Sequence, residues 1–125
     1  MCGYVSPKVK QLTGERVFWK VVDRGVEGLH SGPCIGIPIT VGRWRKAERL
    51  SQEARYEFER KPEGNFYGFN VFRTRKQAEA YVPVMGGQVA RVVAKGGYRN
   101  ATTDKQDGGI SCLLVEWIKI LEVFE

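Results

Sequence analysis

The run from Ser111 to Phe124, SCLLVEWIKILEVF, most limits what this chain can become. It is apolar with charges set at intervals, and it reads as one long strand or as two strands joined by a bulge. Such a run calls for a sheet to receive it. More strand signals lie upstream. Val17 to Val22, VFWKVV, is β-branched and aromatic, and Asp23-Arg24-Gly25 turns the chain. Leu29 to Cys34 is punctuated by glycine and reads as a loop or edge strand. Ile35, Ile37, Ile39 and Val41 alternate on one face, and Pro38 confines that strand to a sheet edge. Phe66 to Phe72 is aromatic and strand-like. Gln88 to Ala94 is a further strand, which Lys95-Gly96-Gly97 is expected to break.

Two segments have helical period instead. From Arg43 to Arg60, Ala47, Leu50, Ala54 and Phe58 recur at helical spacing, and Arg49–Glu53 and Arg55–Glu59 are opposite charges four apart. Thr74-Arg75-Lys76-Gln77 fits a capping box. The helix it opens turns Ala78, Tyr81 and Val82 inward and is expected to stop at Pro83. Residues 1–13 read as a loose arm and Tyr98 to Gly109 as a mobile polar loop. The expectation is one compact α+β domain over residues 1–125. It has a largely antiparallel sheet of about five strands and two helices.

Charge narrows the function. In 125 residues, 20 Lys and Arg face 14 Asp and Glu, a formal charge of +6, with Arg outnumbering Lys. Arg binds phosphate and carboxylate through a planar fork and stacks on flat rings. A basic, Arg-rich domain points to an anionic partner, although surplus charge can also serve solubility alone. Cys2, Cys34 and Cys112 are odd in number and widely spaced, and His30 is the one histidine. They suggest neither a disulfide framework nor a metal site, so no cofactor is expected. The expected location is cytoplasmic. The N-terminus lacks the apolar segment of a signal peptide, and no apolar run has the length of a membrane span.

Catalytic patterns are incomplete. Met1-Cys2-Gly3 looks like the start of an N-terminal-nucleophile amidotransferase, but that fold's further motifs are missing. His30, Ser31 and Cys34 share one loop, and neighbours in sequence rarely form a working dyad. Asp104 and Asp107 suit turn chemistry better than acid–base work. No phosphate-binding glycine loop stands between a strand and a helix. A protein without enzymatic activity is expected.

Three basic and aromatic clusters are the candidate ligand-binding residues. Arg43, Trp44, Arg45 and Lys46 form the first, expected at the start of a helix. Arg73, Arg75 and Lys76, close behind Tyr67, form the second, at the start of the next helix. Lys95, Tyr98 and Arg99 flank a glycine pair in the third. Cations at a helix N-terminus oppose its dipole unless an anion is bound there. The plain alternative is a solvated basic face with Trp44 in the core.

Several stretches share one pattern. VFWKVVD at residues 17–23 is followed by His30-Ser31 and by Val41-Gly42-Arg43-Trp44. Then GFNVFRT at 68–74 leads into Ala78-Glu79-Ala80-Tyr81, and Val89 to Ala94 precedes Gly96. This resembles a family of small phage and bacterial proteins of unassigned activity, with a G-F-x-V-F-x-T strand followed by an A-x-x-Y helix. Asn70 stands where the family pattern has histidine. The resemblance implies a phage-like viral accessory protein acting in counter-defence. The expected function is to sequester an anionic, nucleotide-type ligand. The alternative is inhibition of a host defence protein or nucleic-acid-handling complex through the basic surface. Direct nucleic-acid binding and homo-oligomer formation are also open.

Overall fold

A computed structural model describes residues 2–6, 8–25, 28–31, 37–47, 68–103, 105 and 108–124. Two long neighbouring strands are its spine, β8 (Gln88–Thr103) and β9 (Ser111–Val123), antiparallel along nearly their whole length. The run from Ser111 is therefore one strand. Its partner is longer than the sequence suggests, because β8 passes through Gly96 and Gly97 instead of breaking there. Register jumps from Lys95↔Trp117 to Tyr98↔Val115, so two glycines face the single residue Glu116. The pair that looks like a terminator is a bulge, which bends β8. Gly96 has φ +85°, and a Cβ there would lie 2.5 Å from Oε1 of Glu116, so the position requires glycine. Tyr98 to Thr103 is thus strand, not mobile loop. The backbone N–H of Thr103 donates to the carbonyl of Ile110 at 2.9 Å, where the chain turns into β9. Asp104 and Asp107 lie outside the described residues.

Each half of the spine takes different neighbours. β3 (Arg16–Gly25) pairs with residues 88–94 of β8. β1 (Cys2–Val5) and β2 (Lys10–Gln11) pair with the other half of the same edge. Residues 2–5 and 10–11 of the expected loose arm are therefore built into the sheet, where they satisfy backbone groups that β3 is too short to reach. β4 (Gly28–Ser31) and β5 (Ile37–Ile39) continue outward from β3, so Pro38 does sit in the strand at the end of the sheet. On the far edge of β9, β6 (Trp44–Lys46) and β7 (Phe69–Val71) each pair with one half. Among the described residues all strand pairings are antiparallel, in one nine-stranded sheet.

The sheet curls. Backbone N–H···O bonds run both ways between Trp19 of β3 and Phe72, just beyond β7, at 2.9 and 2.6 Å. They close a circuit of β3, β8, β9 and β7. Inside it lies one core, with Phe18, Val22, Phe69, Val92, Val115 and Ile118 among its buried side chains. The outer surface carries a second core, on which α1 (Arg75–Met85) lays Ala78 and Tyr81 over Val21, Phe72, Val89 and Leu114. The capping box at α1 is formed: Thr74 Oγ1 accepts from the N–H of Gln77, and Gln77 Oε1 accepts from the N–H of Thr74. The helix runs two residues past Pro83 to Met85. Proline's fixed φ is helical, and so near the end it forfeits only one backbone bond. The N–H of Gly86 closes the turn on Val82 at 2.7 Å.

The architecture is mostly β, a curled antiparallel sheet, and not α+β with two helices. Among the described residues α1 is the single helix. The helix expected over Arg43 to Arg60 is overturned at its start, where Trp44–Lys46 is strand. Residues 48–60 lie outside the described residues. Three residues carry too few alternations to compete with the helical period of the sequence after them, and it is the free edge of β9 that makes them a strand.

Candidate anion-binding face

Two W-x-K tripeptides face each other across the sheet. Trp44-Arg45-Lys46 is β6, and Trp117-Ile118-Lys119 lies in β9. They pair antiparallel, Trp44↔Lys119 and Lys46↔Trp117. In each strand the Trp and Lys share a face because side chains alternate with period two. Antiparallel pairing then sets each indole beside the other strand's lysine. From the opposite side β8 adds Lys95 as the neighbour of Trp117.

The result is a cluster of three ammonium groups around two indoles. Lys95 Nζ lies 4.2 Å from the Trp44 ring centroid and 5.3 Å from that of Trp117. Lys119 Nζ is 5.0 Å from Trp44, and Lys46 Nζ is 5.8 Å from Trp117. Among the described residues one carboxylate stands with them. Glu116 accepts a hydrogen bond from the N–H of Gly97 at 3.1 Å and stands 3.9 Å from Lys46 Nζ. It therefore ties the bulge to the cluster. Both indoles are half-buried, and Lys46 is exposed. Three lysines against one carboxylate repel one another, and their attraction to the rings, about 0.5–1 kcal/mol each at exposed sites, offsets that only in part.

The other candidates fare differently. Arg45 pairs with Ile118, a residue of the inner core, so alternation sends it to the opposite face from Trp44 and Lys46. Arg43 is exposed in the turn before β6. Tyr98 packs against the inner core and Arg99 is buried, so neither stands with Lys95. Tyr67 lies outside the described residues. Arg73 donates to Asn100 Oδ1 at 2.9 Å and to Ser111 Oγ at 3.4 Å. Arg75 donates to Glu79 at 2.9 Å, and its guanidinium lies 4.2 Å from the Phe124 ring centroid. The two arginines of the second cluster thus meet acceptors on their own chain, while Lys76 is exposed. Asn70, at the histidine position of the family pattern, donates to Cys112 Sγ at 3.3 Å.

Trp117 and Lys119 belong to the site although neither lies in a basic run of the sequence. Their signal is present nonetheless, since Trp117-x-Lys119 repeats Trp44-x-Lys46 inside a predicted strand. Lys20 has no such signal. It is 2% exposed in the inner core, its Nζ donates to the Asn70 carbonyl at 2.9 Å, and it lies 6.0 Å from the Phe69 ring centroid. A charged group is tolerated so deep only with such partners.

Among the described residues no group of three or more His, Cys, Asp or Glu side chains could hold a metal ion, and no helix is long and apolar enough to cross a membrane. The chain matches no protein-family model, no curated protein and no solved structure. Function has to be read from the geometry of this face.

Proposed function

We propose that this protein is a non-enzymatic binding module that holds a nucleotide-type anion on the outer face of β6, β9 and β8. Bases stack on Trp44 and Trp117, and Lys46, Lys95 and Lys119 take the phosphates. The observation that carries the proposal is the W-x-K checkerboard, which concentrates positive charge around two partly open rings. A phosphate relieves the repulsion among the lysines. Stacking a base on an aromatic ring is worth about 1–3 kcal/mol, against about 0.5–1 kcal/mol for each exposed ammonium–ring contact it displaces. The exchange is favourable once the ammonium groups move to the phosphates.

The half-buried rings lie on the outer face of a sheet, and this favours single-stranded nucleic acid, whose successive bases can spread over neighbouring strands. A role in sequestering such a ligand during phage counter-defence accords with the family resemblance. A second reading, docking of a host protein with an acidic surface, draws on Val17 and Leu121, exposed at 53% and 36%. Both lie on strands of the same sheet.

The test is titration with single-stranded oligonucleotides, cyclic dinucleotides and mononucleotides at two salt concentrations, followed by tryptophan fluorescence. Stacking quenches the indoles, and phosphate contacts make binding weaken as salt rises. Absence of quenching with every nucleotide would remove the proposal and leave the protein partner.

A further inference from the structure

Resting on the nucleic-acid reading above, we infer that the ligand track continues from the Trp–Lys face along β8 and β3 to Arg75, whose guanidinium is a ready-made stacking plane for a further base.

Alternate residues of β8 on the outer face are Val89, Arg91, Val93 and Lys95, and those of β3 are Val21, Trp19 and Val17, paired Val21↔Val89, Trp19↔Arg91 and Val17↔Val93. At one end Val21 and Val89 lie in the core that α1 covers. At the other end Lys95 belongs to the Trp–Lys face. Between them lie Trp19 and Arg91, both half-buried, Val93, which is buried, and Val17, which is exposed. From Lys95 back to Arg91 is four strand residues, roughly 13 Å, a span suited to a few nucleotides.

The stretch ends at a second group of rings. Trp19 and Phe124 have centroids 5.9 Å apart, tilted by 36°. The Arg75 guanidinium lies 4.2 Å from the Phe124 centroid and 5.8 Å from that of Trp19. Its Nε donates to Glu79 Oε1 at 2.9 Å, one turn along the helix. The side chain is therefore held by Phe124 and Glu79, yet 48% of it is exposed. Bases stack on guanidinium planes as they do on aromatic rings. Glu79 already balances the charge, so Arg75 contributes a plane and not a phosphate contact. The Trp–Lys face has the opposite character, with charge in excess.

The experiment compares a single-stranded trinucleotide with a dodecanucleotide by fluorescence anisotropy, on the wild type and on Arg75→Lys, Arg75→Ala and Trp117→Ala. Thermal melts establish that each variant is folded. Arg75→Lys keeps the charge and loses the plane. The expected result is that both Arg75 variants weaken the dodecanucleotide by about fivefold or more, leave the trinucleotide unchanged and leave the salt dependence unchanged. Trp117→Ala weakens both lengths. If Arg75→Lys binds the dodecanucleotide as the wild type does, or weakens both lengths equally, the extension is wrong while the Trp–Lys face stands. If the wild type binds neither length, both inferences fall.

Discussion

Two regions of this molecule look alike as sequence and differ as chemistry. Arg43-Trp44-Arg45-Lys46 and Arg73-Thr74-Arg75-Lys76 are both basic runs near aromatic residues. At the start of α1 the guanidinium groups of Arg73 and Arg75 meet Asn100, Ser111 and Glu79. On the β6–β9–β8 face Lys46, Lys95 and Lys119 surround two indoles, with Glu116 3.9 Å from Lys46. The first ties its two arginines to acceptors of its own fold, and among the described residues the second sets three lysines beside one carboxylate. A basic run thus offers phosphate contacts where its charge is left unbalanced and only a stacking plane where it is balanced.

The contrast can be broken most forcefully at the rings. Trp44→Ala and Trp117→Ala should each weaken nucleotide binding by about 1–3 kcal/mol, roughly fivefold to over a hundredfold by titration. Arg73→Ala should leave trinucleotide affinity nearly unchanged. Equal losses at both places would erase the distinction. Gly96→Ala should cost about 1–3 kcal/mol of stability in denaturant unfolding, since φ +85° and the nearby Glu116 carboxylate both oppose a Cβ. It should also weaken binding, because the bulge positions Lys95 and Trp117. Thr74→Ala removes the cap of α1 and should cost about 1 kcal/mol of stability, with ligand affinity of the folded protein intact. Smallest is the charge effect. Lys119→Ala should lower the slope of log affinity against log salt by up to about 0.7 for a single strand, whereas Arg75→Ala should leave the slope as it is.

Several features are legible from the chain alone, each for a local reason. Thr74 and Gln77 are three residues apart and cap each other without help from elsewhere. Val17 to Val22 is strand by composition, and Pro38 removes a backbone donor and so belongs at an edge. The long C-terminal strand is visible in its own alternation. The candidate face is legible in fragments, as Trp44, Lys46 and Lys95. Arg45 enters the candidate set as Trp44's neighbour in a basic run, and strand alternation separates them.

The sequence by itself determined the elements whose signal is completed within a few residues: the capped helix, the β3 strand, the edge proline and an excess of positive charge. Tertiary structure decided everything that depends on a partner distant in the chain. Gly96-Gly97 is a break or a bulge according to what lies opposite, and Glu116 lies opposite. Residues 1–13 are an arm or an edge according to whether β8 has an edge to offer. Trp44-x-Lys46 and Trp117-x-Lys119 are separated by some seventy residues, and only antiparallel register sets each ring beside the other's lysine. Register is fixed by packing the inner core, because a slip of one residue would turn Ile118 and Ile120 outward and the tryptophans in.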